Sequence, residues 1–299
     1  MAARRQALIL FNPAAGRQPQ RRARQVRSLA AELQAGGWTV AIEPTAAKGD
    51  AGRKTRAAAE RGCDVVIGCG GDGTLQQIAQ ALVETQLAGA QPPLLAVAPP
   101  WGTANTFACT LGCPNRPRRA ARWLLRAQPR ALPLGELENA AGERRYFLSI
   151  GSAGYDAAIV HSVRGATKKK WGKLAFAAAA TLWRRYFPAP MQLTAGGSPT
   201  TADGVMLALT RFYGGRLRLG RPAPDGALTL LLRGAPRLLP LQGLALVSLG
   251  LVHAPGVERL PRPEVAITTP GIPLEVDGEP AGLSPARLRL SPQKLQVLA

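Results

Sequence analysis

The chain is poor in the residues that build most metal and nucleophilic sites. It has two histidines, His161 and His253, and four cysteines, Cys63, Cys69, Cys109 and Cys113, with none after position 113. A closed zinc site takes four ligands. Cys109-x-x-x-Cys113 offers two and both histidines lie far off in sequence, so free reduced thiols are expected. Acids are scarce: 18 against 38 Lys and Arg, a formal net charge of +20 over 299 residues. Aromatic residues make up only 5%, too few to interleave with the basic ones as a single-stranded nucleic-acid platform requires. There is no G-x-x-x-x-G-K-[ST] run, which excludes a P-loop, and no G-x-G-x-x-G in the first strand-to-helix turn, which argues against a Rossmann dinucleotide site. Long apolar runs are missing as well. LLPLQGLALVSLGLVHAPG is broken by Pro240 and Gly243 and is short for a bilayer span. The apolar part of MAARRQALILFNPAAG, about five residues, is shorter than a signal-peptide core.

What is present alternates. QALILF, WTVAIEPT, DVVIGC and PLLAVAP read as strands. Between and after them, PQRRARQVRSLAAELQAGG, DAGRKTRAAAERG, TLQQIAQALVET and PRRAARWLLRA read as helices. Short apolar strands alternating with helices predict a parallel sheet covered on both faces. Beyond about residue 131 the character changes. RALPLGELENAAGERRYF predicts a hairpin with an Asn-Ala-Ala-Gly turn, and GKLAFAAAATLWRRYF a helix. MQLTAGG, VMLALT, ALTLLLRG, EVAITTP, IPLEVDGEPAG, ARLRLSP and KLQVLA are short, turn-bounded strands, which suits a mostly antiparallel sandwich. The expected fold class is therefore α/β with two domains. Residues 1–130 are expected to hold the parallel sheet and residues 131–284 the β-sandwich.

Three loops follow strands of the first domain: NPAAGR, GGDGT (70–74) and PPWGTANTF. In an open parallel sheet, ligands sit beyond the carboxyl ends of the strands. Glycines let backbone amides approach an anion, and a helix start at Thr74 would favour phosphate. Asp72 alone would repel a phosphate. With Mg²⁺ between them it becomes useful. The competing reading of any one loop is an ordinary strand-to-helix turn.

A second constellation is PLEVDGEPAGL, residues 273–283. Glu275, Asp277 and Glu279 alternate along a strand end, so their side chains are expected to start on one face. An exposed Asp-Gly hairpin turn is the plain alternative. The functional reading is a general base with a supporting carboxylate for phosphoryl transfer.

Taken together, FNPAAG (11–16), GGDGTLQQIAQAL (70–82), PPWGTANTFA (99–108), SIGSAGYDAAI (149–159), FYGGRLRLGRPAPDGALTL (212–230) and LEVDGEPAG (274–282) resemble the diacylglycerol kinase catalytic family, in its soluble bacterial lipid kinase branch, with sphingosine kinases as relatives. The pieces occur in family order along nearly the whole chain. The resemblance implies an N-terminal α/β nucleotide-binding domain over 1–130 and a β-sandwich lipid-substrate domain over 131–284, an active site in the cleft between them, and a last strand, about 285–299, returning to the first domain. It implies that Asn12, Gly70, Gly71, Asp72, Gly73 and Thr74 hold ATP, that Gly102, Thr103 and Asn105 line the same phosphate site, and that Asp72 meets Mg²⁺. Asp277 would be the catalytic base and Glu279 its neighbour. Family members usually carry an acid where this chain has Thr106, and many carry one where it has Pro133. Those replacements leave the metal arrangement and the substrate open.

The implied reaction is transfer of the γ-phosphate of ATP to a hydroxyl of a lipid met at a membrane surface, by a cytoplasmic protein peripherally associated with the inner membrane. A homodimer is allowed, and no specific nucleic acid is expected as partner. Within 163–188, Lys168, Lys169, Lys170 and Lys173 stand near Trp171, Trp183 and Tyr186, materials suited to an anionic interface. A solvated basic helix end is the alternative. Rival readings are a catalytically altered or inactive relative, an NAD kinase-like enzyme sharing the GGDGT loop, and a basic membrane- or nucleic-acid-binding module.

Overall fold

The computed structural model describes residues 4–13, 19–162, 190–220, 222–224, 226–233 and 256–299. The expected helix and basic-aromatic segment within 163–188 lie outside them. The chain divides into two units, Met1–Leu132 with Gln293–Ala299, and Pro133–Pro292.

In the first unit, β1 (Gln6–Phe11), β2 (Thr39–Pro44), β3 (Val65–Cys69) and β4 (Leu94–Val97) alternate with α1 (Pro19–Ala35), α2 (Asp50–Glu60) and α3 (Asp72–Leu87). After β4 come the single-turn α4 (Thr106–Thr110) and α5 (Pro117–Arg126), which carries a proline in its first turn, where a missing N–H costs nothing. The strands run parallel in the order β2-β1-β3-β4, and Val297, near the chain's end, pairs with Leu95 of β4. β3 is buried at every residue because helices cover both faces, so its sequence shows no alternation. The order reverses at β1, whose neighbours are β2 and β3. The ends of β1 and β3 are thus at a topological switch point, where open α/β sheets bind ligands.

The second unit is antiparallel. It begins with the hairpin β5 (Pro129–Asn139) and β6 (Arg144–Phe147), closed as expected at Asn139-Ala-Ala-Gly142. There the Asn139 side chain accepts from the amides of Ala141 and Glu143. One sheet has the order β14-β13-β10-β7-β16-β17, where β7 is Ile150–Gly154, β10 Gly204–Ala208, β13 Leu228–Leu232, β14 Val257–Leu260, β16 Pro273–Val276 and β17 Glu279–Leu283. Against it lie β8 (Met191–Ala195), β9 (Ser198–Ala202), β15 (Glu264–Ile267) and the first part of β18 (Ala286–Leu298). Val205, Leu207, Leu231, Leu274, Val276, Val265, Ile267 and Leu288 fill the space between the layers. The opposite face of the six-stranded sheet is covered too. Met206, Ala208, Leu228 and Leu230 pack with Tyr155 and Ile159 of α6 (Tyr155–Ser162). Two buried faces explain why VMLALT and ALTLLLRG are solidly apolar rather than alternating. A two-stranded ribbon, β11 (Phe212–Tyr213) with β12 (Leu217–Arg218), surrounds the FYGG glycines. ARLRLSP and KLQVLA are not two strands but one, β18, which passes through Pro292.

Candidate active site

The structure brings the predicted nucleotide loops together at the strand ends of the first unit. The amide of Asn12, just after β1, donates to the Cys69 carbonyl at 3.3 Å, and that of Trp101 to the Gly70 carbonyl at 3.2 Å. The GGDGT and GTAN loops meet backbone to backbone. A Cβ on Gly71 would sit 2.9 Å from the Gly102 Cα, and one on Gly70 would sit 2.6 Å from Thr74 Oγ1. Real Cβ atoms do not approach so closely, so these glycines are demanded by the loops' own packing before any ligand is considered. Asn105 organises the second loop. It adopts φ 56°, while its Oδ1 accepts from the Gly102 amide at 2.6 Å and its Nδ2 donates to the Gly102 carbonyl at 2.8 Å. Thr103 is exposed beside it.

Helix α3 begins at Asp72, so Thr74 stands inside its first turn rather than at its entrance. The Asp72 carboxylate accepts from the Phe107 amide at 3.2 Å, capping α4 across the loop. Burial pushes its carboxyl above the usual carboxylate range, against the opposing pull of the amides of 105–107. Thr106 is buried.

The acid constellation differs from the alternation expected of it. Asp277 and Gly278, with φ 50° and 77°, are the two central residues of the β16–β17 turn, in which Val276 pairs with Glu279. Positive φ at both centres is the hairpin geometry that Asp-Gly favours. The turn breaks the period of two, so the three acids do not share one face. Glu275 is buried at 2% exposure. Glu279 opens β17. The Asp277 carboxylate is gripped by three backbone amides: Leu148 to Oδ2 at 2.8 Å, and Ser149 and Ile150 to Oδ1 at 2.8 and 3.1 Å. Three amides on two oxygens fix the orientation of the carboxylate. Ser149 Oγ, buried beside these amides in sequence, has no hydrogen-bond partner among the described residues.

Sequence reasoning missed the group behind the turn. Ser152 on β7, Asp156 and Tyr213 join Glu275 in one buried cluster. Burial pushes Asp156 and Glu275 above the usual carboxylate range, with the Asp156 charge raising Glu275 further, and burial beside Asp156 raises Tyr213. Tyr155 is pushed up to about 12 by burial and by Asp156. The signal was within SIGSAGYDAAI, where an acid follows a tight apolar strand, but no spacing rule ties it to a residue about 120 positions later.

All four cysteines are free thiols. Cys69 is driven well up by burial and Cys113 to about 12, which makes them poor nucleophiles. Among the described residues no three His, Cys, Asp or Glu side chains gather as a metal site, and no helix is long and apolar enough to cross a membrane.

This combination, a doubly wound unit with glycine loops at its switch point and a β-sandwich with an Asp-Gly-Glu hairpin, defines a class. Residues 6–137 match the diacylglycerol kinase catalytic domain, and residues 149–299 match the YegS C-terminal NAD kinase beta sandwich-like domain. The chain belongs to this family of lipid kinases. It is 31% identical to a Pseudomonas fluorescens protein named "Probable lipid kinase YegS-like", over 91% of this chain and 90% of the relative. A Stenotrophomonas maltophilia protein of the same name is 28% identical over 99% of this chain and 96% of its own. In fold, the chain is similar to a diacylglycerol kinase from Bacillus anthracis, with TM-score 0.69 at 19% identity, over 98% of this chain and 96% of that one.

Proposed function

We propose that the protein is an ATP-dependent lipid kinase that transfers the γ-phosphate to a hydroxyl of a lipid taken from a membrane surface, on the cytoplasmic side. The observation that carries the reading is the hold on Asp277. A general base must be ionised, fixed in direction, and left with a lone pair for the hydroxyl proton. Three amides on two oxygens meet the second demand. Asp277 accepts the proton of the attacking hydroxyl, and Glu279 stands beside it at the start of β17.

The donor is assigned to the first unit. Asn12, Gly70, Gly71, Gly73, Thr74, Gly102, Thr103 and Asn105 line the phosphates, where a helix start and close backbone approach favour an anion. The residues fit Mg²⁺ held mainly by substrate phosphates rather than in a protein cage. Asp72 would hold it, since its buried carboxyl forms no ion pair among the described residues and stands at the phosphate loop. The ion would neutralise phosphate charge. Thr106 and Pro133 bring no charge to that set.

The test is incubation with labelled ATP, Mg²⁺ and a panel of hydroxyl lipids in micelles. Because the matched C-terminal domain is described as NAD kinase-like, NAD belongs in the panel. A phosphorylated lipid supports the reading; phosphorylated NAD alone would replace it.

A further inference from the structure

The Asp277 hairpin is bolted to a polar cluster that the proposed reaction does not use. Ser152 Oγ lies 2.9 Å from Asp156 Oδ2 and 2.9 Å from Glu275 Oε1. Tyr213 donates its hydroxyl proton to Asp156 Oδ1. The Gly278 amide donates to Glu275 Oε2 at 2.8 Å, and Gly278 is the residue after Asp277. Asp156 is 6% exposed and Glu275 2%.

Protons can be counted on this geometry. The Ser152 hydroxyl has one proton and two carboxyl oxygens within bonding distance, so it donates to only one. The other contact is a hydrogen bond only if a carboxyl donates to Ser152. Asp156 already receives the Tyr213 proton, so it is the natural acceptor for Ser152 as well. Glu275 accepts from Gly278 and also meets Asp156 side chain to side chain, a contact two carboxyls make as a hydrogen bond only when one carries a proton, and it is left as the donor. Among the described residues neither acid forms an ion pair.

Among the described residues, the elements packed on β16 supply nothing that changes this count. On β6, Arg144 is committed to Glu138 and Glu136, Arg145 donates to the Pro280 carbonyl, and Tyr146 is buried. On α6, His161 Nε2 lies 2.7 Å from the Leu274 carbonyl, and Tyr155 is held protonated by burial. Asp277, on the hairpin itself, is an acid and favours a neutral Glu275 further; Glu279 opens β17.

We propose that Glu275 is a neutral carboxylic acid in the folded protein, the donor end of a chain Glu275–Ser152–Asp156–Tyr213, and that it positions the Asp277–Gly278 turn through its bond to Gly278. Glu275 is a positioning residue. Its burial and the neighbouring acids hold its proton above the usual carboxylate range. If it ionises, two buried charges share one hydroxyl; the relief is outward movement of Glu275, which carries the turn with it. The catalytic meaning of that turn rests on the kinase reading above. The proton on Glu275 does not.

The isosteric variants separate the assignments. In Glu275→Gln the amide N–H takes over donation to Ser152 and the amide oxygen still accepts from Gly278. In Asp156→Asn an NH₂ faces one of two hydroxyl donors. Infrared spectra of the full chain at neutral pH are expected to lose a protonated-carboxyl band in Glu275→Gln. Amide hydrogen exchange, corrected for intrinsic rates, is expected to show protection of Leu148, Ser149, Ile150 and Gly278 falling about tenfold per pH unit once Glu275 ionises in the wild type, and staying level in Glu275→Gln. A band that survives in Glu275→Gln, or is lost only in Asp156→Asn, puts the proton elsewhere and overturns the proposal. An equal fall in protection in both proteins overturns the positioning role. Neither readout needs lipid or ATP, so failure of the kinase assay leaves both decisive.

Discussion

Gly71 and Gly102, each the second glycine or only glycine of its loop, touch through their backbones. A side chain on Gly102 would meet the Gly71 Cα and, at 2.7 Å, the Oδ1 of Asn105. Gly102→Ala must therefore push the two loops apart. The expected cost is about 1–3 kcal/mol, typical of overpacking, with ATP affinity falling at least as far as stability does. Denaturant melts and ATP titration of the variant check this.

Asn105 combines a left-handed backbone with two side-chain hydrogen bonds to Gly102. Two substitutions separate these contributions. Asn105→Gly keeps the conformation and is expected to lose about 1–2 kcal/mol with the hydrogen bonds. Asn105→Ala adds the left-handed penalty, roughly 1 kcal/mol more. Equal melting curves for the two variants would show that backbone strain is not felt at this position.

Asp72 gives a pH dependence with a definite sign. Its carboxyl is raised by burial, so between the unfolded and folded pKa the unfolded chain binds fewer protons. Stability contributed by the protonated form is present below the unfolded pKa and is lost as pH rises through the folded pKa. Asp72→Asn, which can still accept from Phe107, is expected to melt higher than wild type at pH 7 and to converge with it near pH 4. Each kcal/mol is worth about 2–4 °C in a chain this size. The same variant should bind Mg-ATP more weakly, a stability gained at the expense of function.

Asp277→Asn tests the amide grip. An amide nitrogen would face at least one of the donors from Leu148, Ser149 and Ile150, leaving it unpaired at about 1–3 kcal/mol. Asp277→Ala leaves all three without this partner. Thermal denaturation should rank wild type, then Asp277→Asn, then Asp277→Ala.

The first unit was legible because its signals are local. The β1 segment QALILF and the helix DAGRKTRAAAERG carry period and boundaries in themselves, and glycine loops after strands point to one edge of a parallel sheet. The helix after the loop starts at Asp72, two residues before the TLQQIAQALVET segment read from the sequence. The hairpin at Asp277 was foreseen as an alternative, but strand alternation was extended through a turn that cancels it. The Ser152–Asp156–Glu275–Tyr213 cluster was hidden for a different reason. Its members come from β7, α6, β11 and β16, and only the pairing of β7 with both β10 and β16 brings them together.

The most direct test of the account compares wild type and Asp277→Ala with labelled ATP, Mg²⁺ and lipid micelles, with ATP binding measured on the same samples. The account expects labelled lipid from the wild type, none from the variant, and ATP affinity within a few-fold of wild type, since the donor loops belong to the other unit. Undiminished transfer by Asp277→Ala, or no labelled lipid from a folded, ATP-binding wild type, would contradict it.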